Sequence, residues 1–385
     1  MFKYLKYSLV YLLVLLLIFG LLMGGNGLFL GFISGAGLII IGDLLLGDDL
    51  ETPEYHHPWL LNIQLYIALL FVCLINLLLL WSFAETDILG IGSKMYELTG
   101  YDALSAREQN TAMGYLFAVL GCGLMTAIVG TNVGHELTHR TNDPVAMIIG
   151  RWLLAFSWDS GFSIEHVYGH HLYVGSINDP ATAPRGRSVY THILISTYKG
   201  NISAWNLEKN RLANRNKSTF GLQNRYLRGI MMSVALEILA FLVAGWSGVL
   251  IFLVSALIAK SYLEIVNYME HYGVVRDPNT LVQPHHSWNS NKRASSWATF
   301  NLTRHSHHHA KGDVPYHKLN PYPDAPMMIN GYLSTIFLTL IPPLWHALMI
   351  PKLKDWDQRY ASEAELLLVK QANQNSGLKK LHLIE

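Results

Sequence analysis

Nine histidines fall into four groups whose spacings suit metal binding: His135 and His139; His166, His170 and His171; His271; and His305, His308 and His309. His135 and His139 stand four apart, one above the other on a helix face, so two imidazoles can reach one ion. His166 and His170 repeat that helical pair, with His171 as an adjacent ring. Neutral imidazole suits Zn, Cu, Fe and Ni, and a tetrahedral zinc takes at most four such side chains. Nine imidazoles gathered at one surface therefore imply more than one ion.

Each group has a plainer reading when taken alone. The text HELTH (135–139) also matches HExxH, in which Glu136 would be the general base of a zinc protease. A single ring such as His271, in NYMEHYG (267–273), is an ordinary interfacial residue, and a His-rich run can be incidental. The run at 304–310, RHSHHHA, is internal, and it carries a further ring, His307, between the spaced three. It is the recurrence of the pattern four times that argues for a metal site.

The elements that must bring these groups together are membrane spans. The chain of 385 residues is 51% hydrophobic and only 14% charged, with a mean hydropathy of +0.24, and its apolar residues come in blocks, as in an integral membrane protein. Stretches of about 20 apolar residues cross a bilayer. Six are expected, at about 4–23, 26–46, 59–83, 111–134, 228–246 and 248–268, the first two forming a hairpin around Gly24, Gly25, Asn26 and Gly27. Lys3 and Lys6 precede the opening run as in a signal peptide, but the second span follows at once, so it reads as an uncleaved anchor.

Lysine and arginine set the orientation. With the N-terminus cytoplasmic, six crossings place 135–227 and 269–385 on the cytoplasmic side. The first of these holds Arg140, Arg151, Arg185, Arg187, Lys199, Lys209, Arg211, Arg215, Lys217 and Arg225, with Arg228 at its end, against Lys94 and Arg107 in the opposite loop at 84–110. The acidic loop at 43–58 weighs little in that rule. All nine histidines then meet on one side, and shorter apolar stretches at 141–157 and 331–350 read as interfacial or re-entrant walls. The expectation is one all-α membrane domain over 1–385, multi-pass, in a bacterial-type inner membrane with both termini cytoplasmic. The net charge of +1 says little about partners, and no nucleic-acid partner is expected. Cys73 and Cys122 lie inside apolar segments, so any cysteine-ligated redox centre must sit on another polypeptide.

HELTHR (135–140), EHVYGHH (165–171), NYMEHYG (267–273) and RHSHHHA (304–310) together resemble the membrane di-iron monooxygenases, specifically the alkane monooxygenase family. The order of these boxes, the six spans and the Pro342–Pro343–Leu344–Trp345 stretch extend the resemblance over most of the chain. It implies two iron ions ligated by His135, His139, His166, His170, His171, His271, His305, His308 and His309. It further implies O2-dependent hydroxylation of an apolar hydrocarbon, most simply the terminal carbon of an n-alkane. Electrons would come from a separate rubredoxin, or a ferredoxin-type donor, with an NAD(P)H reductase. The basic loops offer a docking surface for an acidic donor.

The chain departs from this pattern at two places. His307 stands where alkane monooxygenases commonly show an aspartate. RGRSVY (185–190) and DWDQRY (355–360) look closer to xylene monooxygenase hydroxylase components, which act on aromatic methyl groups. A membrane fatty-acid desaturase, an intramembrane zinc protease and a metal transporter are the other readings. The spans carry few ionisable residues beyond Glu237 and Glu264, against a transporter. Glu136, Glu165 and Glu270 adjoin ligand histidines and are expected either to accept imidazole N–H bonds or to lie at the surface; Asp179 and Asp313 are weaker candidates of that kind. Gly121, Gly123, Tyr262 and Tyr268 are candidate lining of a hydrocarbon tunnel, against ordinary helix packing.

Overall fold

A computed structural model describes residues 1–381. Long apolar helices α1 (Phe2–Met23), α2 (Gly25–Leu45), α3 (Trp59–Phe83) and α4 (Ala112–Thr138) correspond to the first four expected spans. Gly24 makes the α1–α2 turn at φ +60°, a conformation open to glycine at no steric cost. The protein is an all-α, multi-pass membrane protein.

The fifth and sixth spans occupy one element, α8 (Arg225–His271), but Ala244 and Gly245 leave helical geometry inside it. A Cβ on Gly248 would collide with the carbonyl oxygen of Ala240. Eight residues of straight helix would hold those positions about 12 Å apart, so α8 is a hairpin of two arms. The break falls at the end of the first expected segment, 228–246, two residues before its expected limit, and it returns His271 to the end from which Arg225 started.

Between α4 and α8 lie α5 (Pro144–Ala155), α6 (162–173) and α7 (Val189–Ala213). Asp143 caps α5 by accepting the N–H groups of Val145 and Ala146 at 3.0 and 3.1 Å, and Pro144 supplies the preset first turn. Gly150 of α5 and Gly134 of α4 let the two backbones touch: a Cβ on Gly134 would sit 3.0 Å from the Gly150 carbonyl oxygen. Helix α4 therefore runs on past the expected span end at 134, carrying His135 on a rigid turn.

After α8 come α9 (His305–Ala310), α10 (Tyr332–Thr339), α11 (Pro342–Arg359) and α12 (Glu363–Asn375). The axes of α10 and α11 differ by 119°. The Tyr332 hydroxyl reaches Glu270 at 2.5 Å, and Trp356 Nε1 donates to the carbonyl of His285 at 2.7 Å. Tyr332 at the start of the 331–350 stretch thus meets Glu270 beside His271, and Trp356, six residues past its end, holds α11 to the chain before His286.

The same face receives the N-terminus and the 43–58 loop. Lys6 Nζ pairs with Asp49 at 2.8 Å, and Arg304, beside His305, donates to the Asp49 carbonyl at 2.9 Å. Buried Asp49 of this otherwise largely exposed loop is therefore a clasp between α1 and the last histidine box.

Candidate metal centre

The histidines converge in two buried groups. His135, His139, His166, His171 and His308 form one, and His170, His271, His305 and His309 the other, the ligand atoms of each lying within 4.8 Å of one another. The nine expected histidines are all present, and no other histidine among the described residues belongs to either group.

A π-helical stretch explains how they sort. In an α-helix, residues five apart are about 0.4 turn out of register, which would separate His166 from His171. The turn from His166 to His170 is π-helical, its i→i+5 closure stacks residues five apart, and the two Nε2 atoms stand 3.0 Å apart. The expected pairing of His166 with His170 is thereby corrected: His170 turns to the second group. A second π-helical stretch, Thr126–Thr131, immediately precedes His135 in α4. In α9 the α-helical spacing holds, pairing His305 with His309 and sending His308 to the first group.

The first group has the geometry of a coordination shell. Its Nε2 separations are 3.0 Å for His135–His308, 3.2 Å for His135–His139, 3.1 Å for His139–His166, 3.0 Å for His166–His171 and 3.1 Å for His171–His308. With a metal–nitrogen distance of about 2.1 Å, octahedral edges are about 3.0 Å and tetrahedral edges about 3.4 Å. These five contacts close a loop. The nitrogens close around a space that one ion could fill, and five exceed a zinc tetrahedron.

The second group is held from behind. His170 Nδ1 contacts Asp179 Oδ2 at 2.9 Å, and Asp179 also accepts from the Thr182 hydroxyl at 2.6 Å. This fixes the proton on Nδ1 and leaves Nε2 buried with no hydrogen-bond partner, an orphaned lone pair that a metal would satisfy. His271 Nδ1 donates to the His286 carbonyl at 3.3 Å. His305 Nε2 lies 3.1 Å from His271 Nε2 and 2.9 Å from His309 Nε2, and Glu270 Oε2 stands 3.1 Å from the same atom.

The carboxylates differ from one another. Asp179 is the one that accepts an imidazole Nδ1–H. Glu136 instead pairs with Arg140 at 3.0 Å, Glu165 meets the Ser203 hydroxyl at 3.4 Å, and Asp313 is exposed. Glu270 is buried and faces the ligating edge of His305, bordering the second group as an oxygen donor. His307 points away: its Nδ1 accepts the Asn320 N–H at 2.6 Å and its ring lies 4.8 Å from that of Tyr322. It anchors the loop after α9.

Burial keeps these rings neutral. It is the largest influence lowering the proton affinity of His166, His171, His305, His308 and His309 well below the ordinary value, with neighbouring imidazoles adding to it. His139 is lowered to about 4. Burial also opposes protonation of His170, but Asp179 outweighs it and the affinity is raised. Between pH 6.5 and 4 the unfolded chain binds a proton at His139 that the folded chain refuses, so folding stability falls as pH falls through that window. The thermal midpoint of metal-free protein should drop steadily from pH 6.5 to 4; a midpoint flat across that range would contradict the neutral, buried His139.

Sequence reasoning missed one further cluster, His285, His286 and Glu365. His286 Nδ1 accepts the Gln283 N–H at 2.9 Å, so Nε2 carries the proton and donates to Glu365 at 2.6 Å. A metal at Nε2 would force a proton onto Nδ1 against that N–H. The cluster is a hydrogen-bonded strap holding α12 to the carbonyl that orients His271.

An apolar cavity with about 70 Å³ open to the centres of water molecules opens onto both groups, through His135 and His166 of the first and His305 of the second. Its walls are Ile39 of α2, Leu124 and Ile128 of α4, Leu263 and Val266 of α8, and Ile336 of α10. Of the expected lining residues Tyr262 is there. Gly121 and Gly123 instead sit against Leu17 and Ile258, and Tyr268 packs on Trp345.

Comparison with known proteins agrees with this arrangement. The family model described as fatty acid desaturase matches residues 110–325, which contain all nine histidines. The chain is 40% identical over 266 residues to alkane 1-monooxygenase 1 of Pseudomonas aeruginosa, covering 68% of each chain. The chain belongs to the alkane 1-monooxygenase family. Within that family, alkane 1-monooxygenase 2 of Alcanivorax borkumensis is 36% identical, over 63% of this chain and 64% of its own. The xylene/toluene monooxygenase hydroxylase component XylM of Pseudomonas putida is 33% identical, over 67% and 70%. Alignments to the family span between 60% and 70% of the relatives' length.

Proposed function

We propose that the protein hydroxylates the terminal carbon of an n-alkane with O2, at two iron ions held by His135, His139, His166, His171 and His308 and by His170, His271, His305 and His309. The observation that carries this reading is the apolar cavity touching both histidine groups. A hydrocarbon dissolved in the bilayer enters such a cavity without crossing water, and its walls leave it no hydrogen bonds to satisfy. Bound iron, given O2 and two electrons, supplies the oxidising power to take a hydrogen atom from a C–H bond and return oxygen to that carbon.

The chain's own residues bind, orient and exclude. Ile128, Leu263, Val266 and Ile336 hold the alkyl chain and keep water from the reacting end. Asp179 and the His286 carbonyl hold His170 and His271 in the tautomer that leaves Nε2 free. Glu270, braced by the Tyr332 hydroxyl, borders the second group.

Electrons come from a separate rubredoxin with its NAD(P)H reductase, docking on the cytoplasmic face of the inner membrane, where both termini lie. Several expected docking cations are engaged internally: Arg140 pairs with Glu136, Arg185 with Asp357, and Arg211 and Arg225 with Glu208. Lys199, Lys209, Arg215, Lys217 and Arg228 remain exposed for an acidic donor.

The test supplies membranes carrying the protein with octane or a xylene, rubredoxin, reductase and NADH, and measures products and iron per chain. 1-Octanol with two irons per chain is expected. Alcohol from the xylene alone would move the substrate to aromatic methyl groups, an alkene would move the reaction to desaturation, and a single zinc would overturn the reading.

A further inference from the structure

Beside the apolar cavity lies a second chamber, lined by Asp159, Glu165, His170, Lys260 and Glu264. About 20 Å³ of it is open to the centres of water molecules, above the roughly 10–15 Å³ that one water requires. Lys260, within the membrane arm of α8, donates there to Asp159 Oδ2 at 2.7 Å and to Glu264 Oε1 at 2.6 Å. All three are buried. Ionisable groups at such depth are costly and mark proton or ion routes more often than they stabilise. One carboxylate would neutralise Lys260, and a structural clamp needs neither the second nor a water-sized space beside it.

Ser196, Gly200 and Asn201 of α7, the helix that carries Lys199 and Lys209, line the chamber together with His170 of the second metal group. Asn267 and Phe162 line both this chamber and the apolar cavity, and so form the wall between them. Asn267 Nδ2 stands 3.5 Å from Glu264 Oε2.

We propose that the Asp159–Lys260–Glu264 chamber is the proton-delivery route of the enzyme. The inference rests on the monooxygenase reading. That reaction, RH + O2 + 2 H⁺ + 2 e⁻ giving ROH + H2O, consumes two protons for each alcohol, with electrons from the donor protein. The apolar cavity must stay dry to hold the hydrocarbon, so protons need another path. Water in the chamber passes them from the α7 side to Glu264, and from Glu264 past Asn267 to the oxygen being reduced. Each of the three charged residues lies at least seven positions from the nearest expected ligand, so the route uses groups distinct from the coordination shell.

The experiment compares wild type with Glu264→Gln, Glu264→Asp and Ser196→Val in the octane assay. Glu264→Gln should lower kcat at least about tenfold, with iron content and KM for octane unchanged. The solvent deuterium isotope effect should rise, and more of the NADH oxidised should appear as hydrogen peroxide. Glu264→Asp should restore part of the rate. Ser196→Val adds no charge and fills the chamber, so it carries the test if the Gln variant does not fold, and it should shift kcat and the isotope effect in the same direction. In metal-free wild type, hydroxyl-radical footprinting should oxidise the buried Lys260 side chain, and Ser196→Val should reduce that labelling. Folded variants with wild-type kcat and isotope effect, or an unlabelled Lys260, would overturn the route while alcohol formation continued. Wild-type protein that formed no alcohol would instead overturn the monooxygenase reading.

Discussion

Replacing His308 by alanine is expected to abolish alcohol formation and to reduce bound iron from two per chain to one. His308 Nε2 closes the five-nitrogen loop, 3.0 Å from His135 and 3.1 Å from His171. Without it the first group keeps four donors. Loss of a group that merely orients a ligand costs about 10–100-fold in metal affinity or activity, so loss of the ligand itself should exceed about 100-fold. His307→Ala, one residue away, is the control. Its ring faces Asn320 and Tyr322, so that variant should keep both irons and lose only the anchor of one loop. Iron by mass spectrometry and octanol by gas chromatography decide the matter. A His308→Ala protein that retained two irons and near-normal rate would remove the five-nitrogen site.

The contrast between those neighbours shows what the histidine boxes reveal and what they conceal. Which rings converge was legible in the boxes because two of them end apolar stretches and the other two lie in the segments that follow, and such segments share a face when the crossing number is even. In α8 the two segments expected at 228–246 and 248–268 form one element, broken over the two residues Ala244 and Gly245. How the rings sort between two groups was not legible. The π-helical turn at His166–His170 changes the register of one pair, and nothing in HVYGHH announces it. Helical spacing therefore gave the wrong partner to His166 while giving the right one to His135.

The carboxylates were harder for a different reason. Glu136, Glu165 and Glu270 drew attention by adjacency, yet a neighbour in a helix points elsewhere, and two of the three serve Arg140 and Ser203. Asp179 sits nine residues beyond His170 in a turn, where chain reversal rather than periodicity brings it back to the ring. The strap of His286 and Glu365 spans 79 residues, a separation at which a single sequence carries no pairing signal. The apolar cavity is assembled from α2, α4, α8 and α10, and its lining follows from packing angles that spacing does not encode.

Arg185→Ala is expected to be the most damaging change outside the metal groups. RGRSVY and DWDQRY, the two segments that most resemble xylene hydroxylases, meet through this side chain. Arg185 Nη1 and Nη2 lie 2.7 and 2.5 Å from the two oxygens of Asp357, Nη1 also meets Asn373 Oδ1 at 2.6 Å, and Nε donates to the Gly273 carbonyl at 2.8 Å. Gly273 is two residues from His271 and adopts φ +71°, where a Cβ would press on Leu353. One guanidinium thus ties α11 and α12 to the strand of chain leaving a metal ligand. Truncating it leaves Asp357 as a buried, uncompensated charge, a loss of about 3–5 kcal/mol. Purified Arg185→Ala protein should show a markedly lower thermal midpoint in detergent and release iron from the second group faster than from the first. Replacing both partners by apolar residues, Arg185→Met with Asp357→Leu, removes the stranded charge and should recover most of the stability. If the double variant recovers the midpoint but still sheds iron, the hydrogen bond to Gly273 is what positions His271; if both recover, the ion pair serves packing alone. A single variant as stable as wild type would show that water reaches Asp357 and that the pair contributes little.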